Sequence, residues 1–155
     1  MIEARDLSRG MFPVQMDGAG LVAALDGLVA TTRRLTSVNV TFAEIGEVQI
    51  PDPETSMHLY RIAQESLANA IKHAAPRQVS ITLKAVSGGI QLTVEDDGSG
   101  FFHEPETEDG MGLRTMAYRA RLIGATLEVH ERDGPGTCVC CEILSNAITS
   151  KEVIV

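Results

Sequence analysis

The chain of 155 residues has no tryptophan, two tyrosines and four phenylalanines, and its three cysteines are crowded into TCVCCEIL. Without tryptophan, intrinsic fluorescence is a poor reporter of ligands. Cys138, Cys140 and Cys141 are odd in number and clustered, a poor disulfide framework, and no C-x-x-C pair with distant partners suggests zinc. Their run alternates as a strand, so they are expected to be reduced packing residues. No apolar run approaches the roughly 18 residues of a membrane span. The opening MIEARDLSRG is too charged for the apolar centre of a secretory signal. The chain is therefore expected in the cytoplasm, alone or as the cytoplasmic part of a membrane-anchored parent, with no membrane contact of its own. Positive charge is also short: 13 basic residues face 21 acidic ones, for a net charge of −8. That leaves no concentrated basic surface for direct nucleic-acid binding. An anionic small ligand would need local bases, a helix N-terminus or a metal ion. Internal repeats and low-complexity segments are absent as well.

What is present suits one soluble globular domain: 44% hydrophobic residues, 22% charged residues and 14 glycines. Residues 1–17 read as a helix end and a linker broken at Gly10 and Pro13. LVAALDGLVATTRRL (21–35) places Leu21, Leu25, Leu28 and Val29 along one helical stripe. SVNVTFAEI (37–45) alternates as a strand, and residues 51–74 form a long second helix with an acidic start and a stop at Pro76. QVSITLKAV (78–86) and GIQLTVEDD (89–97) make a hairpin, and a polar loop runs from Gly98 to about Gly110. A third helix (112–125) precedes a last hairpin of TLEVHERD (126–133) and TCVCCEIL (137–144), while the tail from Ser145 has no clear assignment. This order predicts an α+β, two-layer α/β sandwich, a mixed, largely antiparallel sheet with about three helices on one face.

The stretch QESLANAIKHA (64–74) carries the first chemistry. At about 100° per residue, with Leu59 at zero, the residues Leu59, Ala63, Leu67, Ala70, Ile71 and Ala74 span about 0–120°. Glu65, Asn69, Lys72 and His73 span about 220–320°. The second face is either solvated or the wall of a site. In a site, Asn69 can offer an amide oxygen to Mg²⁺. Glu65 can orient or deprotonate a water or hold a metal-bound one, and Lys72 and His73 can offset phosphate charge. In GIQLTVEDDGSGF the alternation of Ile90, Leu92 and Val94 carries Asp96 to the core side, where a carboxylate is costly unless hydrogen-bonded. Gly98 and Gly100 allow a tight turn and a close ligand. Asp96 is thus placed to accept from a flat, amine-bearing group. The plain alternative is an acidic hairpin turn, and a calcium loop is weaker because carboxylates at regular spacing do not follow. Thr137, in phase with Val139, Cys141 and Ile143, can share a water or hydrogen bond with Asp96. GMGLRTMAYRARL (110–122) sets Gly110 and Gly112 at the entrance to a helix, where N–H groups attract phosphate, with Leu113, Met116, Ala120 and Ile123 inward.

Taken in order, QESLANAIKHA, DDGSGF, GMGL and GPGT resemble the N, G1, G2 and G3 boxes of the ATP-binding domain of bacterial sensor histidine kinases, in the superfamily shared with gyrase and MutL. The resemblance covers about residues 20 to 144. The short lid, nine residues between Gly100 and Gly110, and HLYRIAQESLANAIKHA are most similar to the subgroup that partners response regulators with helix-turn-helix outputs. It implies a Bergerat-type ATP-binding fold with ATP and Mg²⁺ as cofactors. Position by position, it implies that Asn69 coordinates Mg²⁺ and that Glu65 acts catalytically at the metal or its water. Lys72 and His73 would lie near the phosphates, and Asp96 would bind the adenine amine beside Gly98 and Gly100. Gly110 and Gly112 would hinge the lid, with Met111 and Leu113 of the same box also ATP-binding, and Thr137 would support Asp96.

The resemblance also has a departure. None of His58, His73, His103 and His130 has the setting of a phospho-acceptor, such as E-x-x-R-I-A-R-E-L-H-D, and EARDLSRGMFPV resembles only the end of a dimerisation helix. The expected organisation is therefore 1–17, end of the dimerisation helix and linker; 18–144, ATP-binding catalytic domain; 145–155, C-terminal tail. The expected partners are a dimerisation domain bearing the acceptor His and a response regulator downstream, with this domain itself a monomer. A free-standing serine kinase of the anti-sigma-factor type, or a non-catalytic nucleotide-sensing or docking module, would share the fold.

Overall fold

Two periodicities build this fold, one turn of helix and one alternation of strand. The computed structural model describes residues 18–50, 52–99 and 108–144. The expected helix end and linker before residue 18, Gly100, His103 with the rest of the loop through 107, and the tail from 145 lie outside them. Among the described residues, no helix is long and apolar enough to cross a membrane.

Helix α1 (Gly18–Leu35) buries Leu21, Leu25, Leu28 and Val29, the stripe read from the sequence. Strand β1 (Asn39–Ile45) leads to helix α2 (Pro53–Asn69). The acidic start read from the sequence holds, with the helix beginning at Pro53 and Glu54 in its first turn. Asp52 is the cap, its Oδ1 accepting the Thr55 N–H at 2.7 Å, and Pro53 occupies the first helical position, where its missing N–H costs nothing. Helix α2 packs against both α1 and the third helix, so its buried surface exceeds the single arc of the wheel. Leu59, Ala63 and Leu67 are buried as expected, and so are Tyr60, Ile62, Gln64 and Ser66. The Ser66 hydroxyl turns back to the Ile62 carbonyl at 2.7 Å and also lies 3.2 Å from Met116 Sδ.

The expected α-helix to residue 74 changes character after Asn69: Ala70–Ala74 form a wider π turn. It ends at Ala75, a non-glycine residue in the left-handed region (φ 45°). Pro76 helps to end the helix here, because a proline ring disfavours ordinary helical geometry in the residue before it. Turns of this width recur at functional sites.

Strands β2 (Gln78–Val86), β3 (Gly89–Asp96), β4 (Thr126–Glu131) and β5 (Thr137–Leu144) complete a five-stranded sheet of order β1-β2-β3-β5-β4. Among the described residues β1 and β2 run parallel, and the other pairs are antiparallel. Burial along β3 alternates without a break, placing Ile90, Leu92, Val94 and Asp96 inward. Opposite them on β5 stand Ile143, Cys141, Val139 and Thr137. The side chains on this face form one core with the three helices. The expected sandwich with a mixed, largely antiparallel sheet is therefore the observed architecture.

Helix α3 (Glu108–Leu122) starts and stops earlier than the expected 112–125. It opens at Glu108-Asp109, residue types that a helix N-terminus favours. It closes in a Schellman motif, in which the Ala125 N–H donates to the Ala120 carbonyl at 2.8 Å and the Gly124 N–H to Arg121 at 3.1 Å.

All three cysteines are free thiols. Burial pushes the Cys141 thiol up to about 12. Burial, then the Glu95 carboxylate, pushes Cys138 to about 11. They remain protonated at neutral pH, as packing residues should.

Candidate functional site

Two neighbouring regions carry the residues singled out by the sequence. The first is the exposed edge of α2. Glu65 and Asn69 are one helical turn apart and half-buried. A β-carbon placed on Gly112 would stand 2.5 Å from Glu65 Oε1, 3.3 Å from Asn69 Nδ2 and 3.5 Å from Asn69 Oδ1. Helix α3 therefore seats its glycine directly on the two polar side chains, and a larger residue there would have to turn the Glu65 carboxylate aside. The structure brings Glu65, Asn69 and Gly112 together, although they are far apart in sequence. Lys72 and His73 lie exposed on the π turn beyond this wall, where positive charge complements the negative end of the helix.

The glycine pair differs from expectation. Gly110 and Gly112 are the third and fifth residues of α3 rather than its cap, because the helix begins at Glu108. Leu113 packs half-buried against the core. The Met111 side chain and Gly100 lie outside the described residues.

The second region is the end of β3. Asp96 is only 7% exposed. Its Oδ1 accepts the Gly98 N–H at 2.9 Å, and the Thr137 backbone N–H also bonds the carboxylate. Burial raises its pKa above the ordinary 3.8, against the lowering by these two N–H groups. Register pairs Asp96 with Thr137, as the shared face implied. Of the two expected contacts, a shared water or a direct bond, the direct hydroxyl bond is not made: the Thr137 backbone holds Asp96, while the buried Thr137 Oγ1 has no hydrogen-bond partner among the described residues. A buried hydroxyl left unpaired is costly. Beside a carboxylate with lone pairs to spare, it marks a place for a polar ligand group or a water.

The two regions are fastened to each other. A β-carbon on Gly98 would fall 2.3 Å from the Ala74 carbonyl oxygen, and the Ser99 N–H donates to that oxygen at 2.8 Å. The turn after Asp96 is thus pressed onto the end of the π turn that follows Asn69. A further tie was not visible in the sequence, since Arg132 reads as an ordinary hairpin charge. Its Nη1 donates to the Asp96 carbonyl at 3.1 Å, and its Nε lies 3.8 Å from Glu95.

The oxygen atoms of Glu65 and Asn69 suit a hard cation such as Mg²⁺. Among the described residues no group of three His, Cys, Asp or Glu could cage a metal. An ion here would take its other ligands from phosphate and water, as Mg²⁺ commonly does.

Residues 54–147 match the family described as histidine kinase-, DNA gyrase B-, and HSP90-like ATPase. The sensor histidine kinase ComP of Bacillus subtilis (strain 168) is 33% identical over 134 residues, 85% of this chain and 17% of ComP. The sensor histidine kinase LiaS of the same strain is 32% identical over 139 residues, 87% of this chain and 37% of LiaS. The chain thus spans well under half the length of these relatives. Among solved structures, the histidine kinase domain from the Erythrobacter litoralis EL346 blue-light activated histidine kinase matches with a TM-score of 0.69 at 27% identity. That match covers 92% of this chain and 76% of the solved one. With the matched span running from α2 through β5, the chain belongs to the histidine kinase-, DNA gyrase B- and HSP90-like ATPase family, and its relatives there are sensor histidine kinases.

Proposed function

We propose that this chain is the Mg-ATP-binding catalytic domain of a two-component sensor histidine kinase, which donates the γ-phosphoryl group to a histidine on a dimerisation domain. A response regulator would then receive the phosphoryl group. In this reading residues 18–144 are the catalytic domain, 1–17 the end of a dimerisation helix with its linker, and 145–155 a tail. The carrying observation is the junction of Ala74 with Gly98, which locks a buried carboxylate, Asp96, beside the wall formed by Glu65 and Asn69. ATP carries an amine donor on its adenine and phosphates at its other end, and the two joined regions offer an acceptor for the one and metal-binding oxygens for the other.

Each residue has one task. Asp96 accepts the adenine amine, and the unpaired Thr137 hydroxyl satisfies the same ring or a water beside it. Asn69 and Glu65 hold the ion and orient its water, while Lys72 and His73 add positive charge. Bound magnesium would neutralise charge on the phosphates, the main requirement of phosphoryl transfer. Gly112 lets the start of α3 come close enough to cover them.

Calorimetry with ATP and GTP, with and without Mg²⁺, tests the reading. Magnesium-linked binding that favours ATP is expected, and no binding at millimolar ATP would overturn it. The site also predicts an acid limb. Only ionised Asp96 accepts well, and burial raises its pKa. ATP affinity should therefore fall as the pH drops through a midpoint above the ordinary 3.8. The Asp96→Asn variant, weaker throughout, should lose that limb and the preference for ATP over GTP.

A further inference from the structure

We infer that Asp97 is a positioning residue for adenine recognition: its carboxylate latches the turn carrying Asp96 to the exit of helix α2 and thereby sets the aim of the Asp96 side chain. The inference rests on the function proposed above and adds a residue that acts only through another. The chain leaves the π turn through Ala75 in the left-handed region and Pro76, then enters β2. Two N–H groups stand at that entrance, those of Arg77 and Gln78. Asp97 Oδ1 accepts both, each at 2.9 Å. The Asp97 N–H completes the junction by donating to the Gln78 carbonyl at 3.3 Å. The bond from Gln78, with that from Arg77, holds the Asp97 carboxyl below its ordinary 3.8, so the latch is charged at neutral pH.

The adjacent acids of DDGSGF therefore divide the work. Asp96 points into the core beneath the sheet, and Asp97 points out to the start of β2. The two roles are linked through Gly98, whose N–H caps Asp96 Oδ1 at 2.9 Å and whose backbone follows directly from Asp97. Besides the Asp97 N–H bond to the Gln78 carbonyl, three ties hold the turn: Arg132 to the Asp96 carbonyl, Ser99 to the Ala74 carbonyl, and the Asp97 carboxylate to Arg77 and Gln78. Asp97 supplies the one whose acceptor is a side chain of the turn itself. Charge-assisted bonds of this kind are roughly twice as strong as neutral ones. An exposed acid serving solubility alone would have no need to gather two backbone donors on one oxygen.

The test is calorimetry of ATP and GTP on the whole chain with Asp97→Ala, Asp97→Asn, Asp96→Asn and the combined Asp96→Asn and Asp97→Ala substitutions, with thermal melts beside it. Asp97→Asn keeps an acceptor oxygen in place and should stay within about twofold of the original ATP affinity, whereas Asp97→Ala should lose about tenfold, leaving GTP affinity unchanged. The ATP-to-GTP preference should narrow in the same proportion. In the Asp96→Asn background, Asp97→Ala should have no further effect on that preference, because the group it aims is already disabled. A lower melting temperature with the preference intact would make Asp97 merely structural and overturn the inference. So would an additive effect in the combined variant, or an Asp97→Asn variant as impaired as Asp97→Ala. Should the unmodified chain itself fail to prefer ATP, the functional reading falls first and this inference with it.

Discussion

Asn69→Ala should remove the magnesium-linked part of ATP affinity, a loss of about 100-fold or more. Replacing a residue that merely supports a metal ligand already costs about 10- to 100-fold, and a direct ligand should cost at least as much. The fold should not suffer. Asn69 is only half-buried, it sits where α2 gives way to the π turn, and alanine is the better helix former. The expected result is therefore specific: unchanged melting without ligand, unchanged ATP binding in chelator, and no gain on adding Mg²⁺. Near-normal magnesium-linked binding would remove Asn69 from the metal site. It would leave Gly112 packed on Glu65 and Asn69 for reasons of helix packing alone.

The second large effect is on stability. Gly136 has φ 121°, and a β-carbon there would lie 1.8 Å from the Asp96 carbonyl oxygen and 2.8 Å from the carbonyl carbon. Both neighbours are backbone, so neither can rotate away. Gly136→Ala must push the start of β5 off the end of β3, and with it the carbonyl that accepts from Arg132. Backbone strain alone costs about 1–3 kcal/mol, and the displaced strand pair adds to it. A total above about 3 kcal/mol would lower the melting temperature by about 10 °C for a chain of this size. Gly134→Ala provides the control. Its φ is also positive, at 100°, but nothing stands within 4 Å of the added carbon, so only the conformational cost remains. Equal melting temperatures for the two variants would show that the close approach at Gly136 carries no weight.

Gly136 also shows where local sequence reading stops. GPGT announced a turn, and turn chemistry alone accounts for glycine in it. That the second glycine is needed because another strand's carbonyl presses on it cannot be read from four residues. Arg132 is similar, an unremarkable charge in sequence that becomes a support for Asp96 once β4 and β5 fold beside β3. The start of α3 failed in the opposite direction. In sequence, Gly110 and Gly112 read as a helix entrance whose N–H groups attract phosphate. The helix nevertheless runs through both, and packing on α2 favours the missing side chain at Gly112.

By itself the sequence determined what repeats within a few residues. The twofold alternation of β3 placed Asp96 under the sheet, the same alternation in β5 placed Thr137 there, and the helical period put Glu65 and Asn69 on one edge of α2. Only the tertiary structure decided how those faces meet. The Ala74 carbonyl that the π turn presents to Ser99, the seat of Gly112 and the Asp97 latch all join segments distant along the chain. The physical reason is range: periodicity follows from the bonds of neighbouring residues, whereas these contacts depend on how whole elements pack.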